Sequence, residues 1–267
     1  MKNDQTIGST TRPLNQLSFA QACEHIAAAG YTDVAVFAHQ QAMPIDSAST
    51  ADQVAQTRQE AADAGLNPSM LLGRTQLDLG LDQATDDYRR LIDNAAGLGA
   101  QWILELGTGK EAHYEDYPKL MAAVAPHAAE AGVGISLKPH GGISLTATEL
   151  IALHDQVDHP AFRISYDPGN IIHYTKGEVR PESEADLIAS RTSTLIIKDC
   201  DLVDGQPNVM VTAGDGLVDF PVVLGKLTAG GFAGPMYVEC VGSTEPEAVA
   251  RDLAFTRGLV TGILSTR

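Results

Sequence analysis

Eight times along the chain a short apolar run gives way to a polar or helix-like segment and then to another apolar run. The runs lie at roughly residues 5–9, 32–38, 67–73, 102–107, 134–139, 162–167, 194–200 and 235–240. Most are apolar throughout rather than alternating, as expected of strands whose two faces are both covered in a parallel sheet. Several intervening segments are helical in composition and stop at a glycine: 20–29 before Gly30, 51–64 before Gly65, 82–98 before Gly99, 117–131 before Gly132 and 219–229 before Gly230. Glycine at that position takes the left-handed conformation that closes a helix. Thr50, Asp219 and Thr244 are expected N-caps. The repeat predicts an α/β chain folded as one closed parallel (β/α)8 barrel over residues 1–267. A doubly wound open sheet is the alternative, but no GxGxxG follows an early strand.

The 267 residues match the size of such a barrel, about 250 residues. Eighteen basic against 34 acidic side chains give a net charge of −16. That excess opposes nucleic-acid phosphates and anionic membranes as partners and leaves a small molecule as the expected one. Cys23, Cys200 and Cys240 have no paired spacing, so neither a disulfide framework nor a zinc motif is indicated. Residues 1–11 have no apolar signal core and no run reaches the length of a membrane span, so a cytoplasmic protein is expected.

Five of the apolar runs end on charge. Trp102–Ile103–Leu104 leads into Glu105, and Ile135–Ser136–Leu137 into Lys138, His140 and two glycines. Ile164–Ser165–Tyr166 leads into Asp167 and Asn170, Leu195–Ile196–Ile197 into Lys198 and Asp199, and Met236–Tyr237–Val238 into Glu239. In a parallel barrel these ends share the C-terminal rim, where active sites are built. Two longer irregular stretches, 39–50 and 201–218, belong to the same rim and are placed to cover a substrate or to stand in solvent. Gly107–Thr108–Gly109–Lys110 lacks Walker spacing and is read as a loop with a solvated lysine, able at most to bind a phosphate weakly.

The second half of the chain resembles the xylose-isomerase-like TIM-barrel superfamily of sugar isomerases and epimerases. The resemblance rests on Leu-Lys-Pro-His-Gly-Gly at 137–142, Tyr-Asp-Pro-Gly-Asn at 166–170, Ile-Lys-Asp at 197–199, Gly-Asp-Gly-Leu-Val-Asp-Phe at 214–220 and Val-Glu at 238–239. It implies a divalent cation, Mn2+ or Mg2+, held by strand-end carboxylates and a histidine, which stabilises the enediolate formed when a carbon-bound proton leaves. Asp167 and Glu239 match two of the four usual ligands. The other two positions hold Lys138 and Ile196. Homo-oligomers are also common in that superfamily.

Two readings follow. In the first, the Lys138 ammonium replaces the cation, Asp167 positions it, Glu239 or Glu105 takes the proton, and His140 moves protons between oxygens. In the second, Glu105 and His140 join Asp167 and Glu239 to hold a metal. Glu105, Asn170, Lys198 and His173 are expected to bind substrate, with Tyr174 beside them. Lys198 and Asp199 alternatively form a mutual salt bridge. The expected reaction is isomerisation or epimerisation of a small keto-sugar or polyol. β-Elimination by a lyase and a non-catalytic sugar- or partner-binding barrel are the alternatives. A metal nuclease on the same barrel is disfavoured by the acidic charge and the shortage of histidine ligands.

Overall fold

The structure is a computed structural model that describes residues 5–40 and 42–266. Eight parallel strands close into a barrel: β1 (Ile7–Thr10), β2 (Asp33–Val36), β3 (Asn67–Leu72), β4 (Trp102–Glu105), β5 (Gly134–Leu137), β6 (Phe162–Tyr166), β7 (Thr192–Ile197) and β10 (Met236–Val238). The seam between first and last strand is real pairing, Ile7 opposite Met236 and Ser9 opposite Val238. The predicted (β/α)8 TIM barrel is therefore the fold.

Around it lie α1 (Phe19–Ala28), α2 (Ala51–Asp63), α3 (Leu81–Leu98), α4 (Asp116–Glu130), α5 (Ala147–Val157), α6 (Pro168–Thr175), α7 (Ala185–Ile188), α8 (Phe220–Ala229) and α9 (Pro246–Ser265). Thr50 and Asp219 cap α2 and α8 through their side chains, as expected. Thr244 does not. The α9 cap is Glu245, without a side-chain bond, because Pro246 already supplies the helical φ at the first position.

Strand residues divide by parity. Val34, Val36, Leu71, Ile103, Leu137 and Ile197 join the core between sheet and helices, whereas Ala35, Phe37, Met70, Leu104, Ile196 and Tyr237 fill the barrel interior. Trp102 lies against that interior, and Gly134 leaves the space for its ring: a Cβ there would stand 2.2 Å from the indole. Nearer the mouth the filling turns polar, with Ser136 Oγ 2.9 Å from Thr194 Oγ1. Two residues beyond Ser136 in β5, Ile196 in β7 and Tyr237 in β10, the next inward positions are Lys138, Lys198 and Glu239.

The stretch 201–218 is not irregular throughout. It opens with an antiparallel hairpin, β8 (Asp201–Val203) and β9 (Gln206–Asn208). The Asp199 carboxylate fastens the rest, accepting the backbone N–H groups of Gly214, Gly216 and Val218 at 2.9–3.0 Å. The stretch 39–50 folds against α3: Ile45 is fully buried, and the Asn94 amide donates to the carbonyls of Asp46 and Ser49. Gln41 within it lies outside the described residues.

Candidate active site at the barrel mouth

The C-terminal ends of β5, β6, β7 and β10 bring four charged side chains together, each almost wholly buried: Lys138, Asp167, Lys198 and Glu239. Lys138 Nζ stands 2.6 Å from Glu239 Oε2 and 3.2 Å from Asp167 Oδ2. Lys198 Nζ lies 2.6 Å from Glu239 Oε1, 3.1 Å from Asp167 Oδ2 and 3.0 Å from Asn170 Oδ1. Arg12, just past β1, adds a third cation, with Nη1 2.8 Å from Glu239 Oε1 and 2.9 Å from Cys240 Sγ. Asp167 also caps α6 by accepting the Asn170 N–H at 3.0 Å, while the Asn170 amide donates to the Pro139 carbonyl. The Asp-Pro-Gly-Asn sequence thus starts a helix, with proline at its first position.

These contacts set the protonation states. Burial alone would raise the Glu239 carboxyl, but Lys138, Lys198 and Arg12 hold it well below the usual carboxylate range. The two lysines diverge. Burial lowers Lys138, with the neighbouring Lys198 ammonium adding to the effect against the pull of Glu239 and Asp167. For Lys198 the same burial is outweighed by Asp167 and Glu239, and its pKa rises.

Above the cluster is a cavity of about 350 Å³. His140, His173 and Tyr174 line one side, with the Tyr174 ring 5.2 Å from His140 and 4.8 Å from His173. Gly141 is required here, since its φ is +75° and a Cβ would meet the Tyr174 ring at 2.8 Å. Loss of hydration and the Lys138 and Lys198 ammoniums bring the His140 pKa down to about 4, so its imidazole is neutral at pH 7. His173 is lowered too, again by burial first, and its Nδ1 is buried without a partner among the described residues.

Glu105 is not part of this group. Its strand register places it beside Leu137, on the outer face of the barrel. There the hydroxyls of Tyr88 and Tyr117 donate to its two oxygens, at 2.8 and 3.3 Å. Burial raises its carboxyl to about 7. Leu106, not Glu105, lines the cavity. The expected roles of Glu105 as base, substrate ligand and metal ligand are therefore corrected. The alternative Lys198–Asp199 salt bridge is not formed, because Asp199 faces the loop amides. Glu239, also expected as a base, has both its oxygens engaged by cations. Cys23, Cys200 and Cys240 are buried free thiols. Lys110 pairs with Asp78, which also accepts a hydrogen bond from His113 Nε2 at 2.9 Å, so the lysine is an exposed loop charge with a partner. Arg12 was not among the sequence candidates.

The family model for the xylose isomerase-like TIM barrel matches residues 23–259. The chain belongs to that family. No curated protein sequence is significantly similar to it. Among solved structures, it resembles a xylose isomerase-like TIM-barrel protein from Mycobacterium smegmatis in complex with magnesium, at 17% identity and a TM-score of 0.79 over 98% of each chain. D-Psicose 3-epimerase from Clostridium cellulolyticum H10, with D-tagatose, matches at 14% identity and TM-score 0.78 over 97% of this chain and 99% of its own. L-Ribulose 3-epimerase matches at 16% and 0.76, over 98% of this chain and 96% of its own. At these identities the likeness establishes the shared fold.

The donor set here does not fit the divalent cation that the family implies. Three carboxylate oxygens, Glu239 Oε1 and Oε2 and Asp167 Oδ2, already accept from lysine or arginine, and Asp167 Oδ1 accepts the Asn170 backbone N–H. Three cations surround two carboxylates, so a dication entering the cluster would meet net positive charge rather than a negative cage. Among the described residues, no group of three or more acidic, histidine or cysteine side chains is arranged to hold a metal.

Proposed function

We propose that the chain is a carbohydrate isomerase or epimerase that transfers a proton at the carbon beside a carbonyl, with lysine ammonium in place of a metal. The observation that carries the reading is Lys138 Nζ between Asp167 and Glu239 at the floor of the cavity. An ammonium fixed by two carboxylates is a preorganised positive point for the oxygen on which enediolate charge develops. Glu239 and Asp167 act in this reading as counter-ions that hold both ammoniums in place. The base is His140, whose neutral imidazole stands on the cavity wall and accepts a proton at neutral pH. Asn170 and Tyr174 contribute to hydroxyl binding. The similarity to ketose 3-epimerases supports a keto-sugar scale of substrate.

One observation favours a non-catalytic sugar-binding barrel instead: Glu239 is too strongly paired to serve as a carboxylate base. Solvent-deuterium incorporation into a panel of keto-sugars, followed by NMR, separates the two. The proposal expects incorporation at the carbon beside the carbonyl with wild type and its loss in His140→Asn and Lys138→Met. Binding of a sugar with no incorporation by wild type would leave the non-catalytic reading standing.

A further inference from the structure

The chain carries a net charge of −16, yet its barrel-mouth cavity is lined by Arg12, Lys138 and Lys198 with Glu239 as the acidic residue among its lining. Counting Asp167 beneath, the buried ions balance, Lys138 and Lys198 against Asp167 and Glu239, and the partly exposed Arg12 guanidinium is the third cation of the mouth.

The hydrogen-bond inventory points the same way. The carboxylate oxygens are all engaged, as described above. Donors remain. Arg12 uses only Nη1 toward Glu239 and Cys240; its Nε and Nη2 have no hydrogen-bond partner among the described residues. Those two N–H groups form one edge of the guanidinium, the fork that matches the two oxygens of a carboxylate. The Arg12 side chain is 38% exposed, so this edge is not sealed within the cluster. Lys138 bonds two oxygens and keeps a third N–H. The Asn15 amide and the Tyr174 hydroxyl line the same cavity without partners among the described residues, and they suit the hydroxyls of a polyol chain.

We infer that the ligand of this cavity is an anionic sugar, a keto-acid whose carboxylate takes the free Arg12 edge and pairs with its charge, rather than a neutral ketose. The inference rests on the proposed function for its keto group and deepens it by naming the substrate class. A carboxylate on Arg12 would leave the adjacent carbonyl oxygen for Lys138, and the carbon beyond it for proton removal. A phosphate is the other anion that the same donors attract, but its tetrahedral oxygens make less use of a single planar fork.

The test uses matched probes on the whole protein: 2-keto-D-gluconate, D-fructose and D-fructose 6-phosphate, each titrated calorimetrically and each incubated in deuterated water. The inference expects 2-keto-D-gluconate to bind at least tenfold more tightly than D-fructose, and Arg12→Lys, which keeps the charge but loses the fork, to erase most of that preference. Wild-type selectivity alone decides the matter should Arg12→Lys fail to fold. Equal or tighter binding of D-fructose would overturn the inference, as would preference for D-fructose 6-phosphate over the keto-acid. The two proposals fail separately. Deuterium entering D-fructose as fast as the keto-acid, without selective binding, would leave the proposed function and remove the anionic substrate. Selective binding of the keto-acid without exchange would do the reverse.

Discussion

Glu239 and Glu105 are both glutamates at the C-terminal end of a barrel strand, and both are buried from water. Their chemistry is opposite. Glu239 points into the mouth, where Lys138, Lys198 and Arg12 hold it ionised. Glu105 points outward between α3 and α4, where two phenol hydroxyls are its side-chain donors and burial raises its carboxyl to about 7. One step of strand parity therefore separates a carboxylate paired with three cations at the barrel mouth from a carboxyl that is part of the sheet–helix packing. Burial by itself does not identify a functional acid; the sign of what surrounds it does.

The largest expected effect lies at the mouth. Lys138→Met removes the proposed oxyanion partner and should lower proton exchange roughly 10²–10³-fold. It also leaves buried acidic charge less compensated, at about 3–5 kcal/mol of stability, measurable by denaturant titration. A rate within a few-fold of wild type would show that Lys138 is not the working cation.

On the outer face the expectation concerns pH and stability, not turnover. An unfolded Glu105 releases its proton near 4.5 and the folded one near 7. Between those values the folded state binds more protons, so stability falls as pH rises through this window and levels off above it. Integrated over that shift, the loss is at most about 3 kcal/mol. Glu105→Gln should flatten the dependence while leaving proton exchange close to wild type. A large loss of exchange in that variant would break the distinction between the two glutamates.

The histidine at the mouth gives the next effect. If His140 is the base, its neutral form is required, and with its pKa near 4 the rate should fall about tenfold per pH unit below that value. An alkaline limb should appear below the ordinary lysine value of 10.5, as Lys138 loses its charge. His140→Asn should remove the acid limb along with most of the rate. The smallest effect belongs to Tyr117→Phe, which removes the longer of the two bonds to Glu105 and should cost about 1 kcal/mol. It should also move the Glu105 midpoint further up, since a bond to the ionised form is lost.

Much of this arrangement is legible in the sequence, for reasons that can be named. Continuous apolar strands and glycine-ended helices specify the barrel because each reports a local constraint. Lys138, Asp167, Lys198 and Glu239 stand out because charge directly after a core strand must emerge at its end. What that rule misses is parity. Glu105 ends its strand opposite Leu137, one position short of the level of Lys138, and paired residues in a parallel sheet face the same side. Reading the five strand ends against one another, rather than singly, would have turned it outward. Arg12 is missed for a related reason. The sequence pattern ends the first strand at residue 9, whereas pairing reaches Thr10, and Arg12 lies two positions on, in step with the mouth. The hairpin in 201–218 has no strong turn or strand signal beyond Asp204–Gly205, and it takes shape beside a loop that Asp199 ties down.

At this barrel mouth Lys138, Lys198 and Arg12 supply the positive charge that the proposed reaction needs. The most direct measurement is deuterium exchange into a reactive keto-sugar or keto-acid by wild-type protein, first after exhaustive chelation and then with Mn2+ restored. If lysine ammonium replaces the metal, exchange is complete after chelation and gains nothing from Mn2+. Exchange that vanishes with chelator and returns with Mn2+ would contradict it.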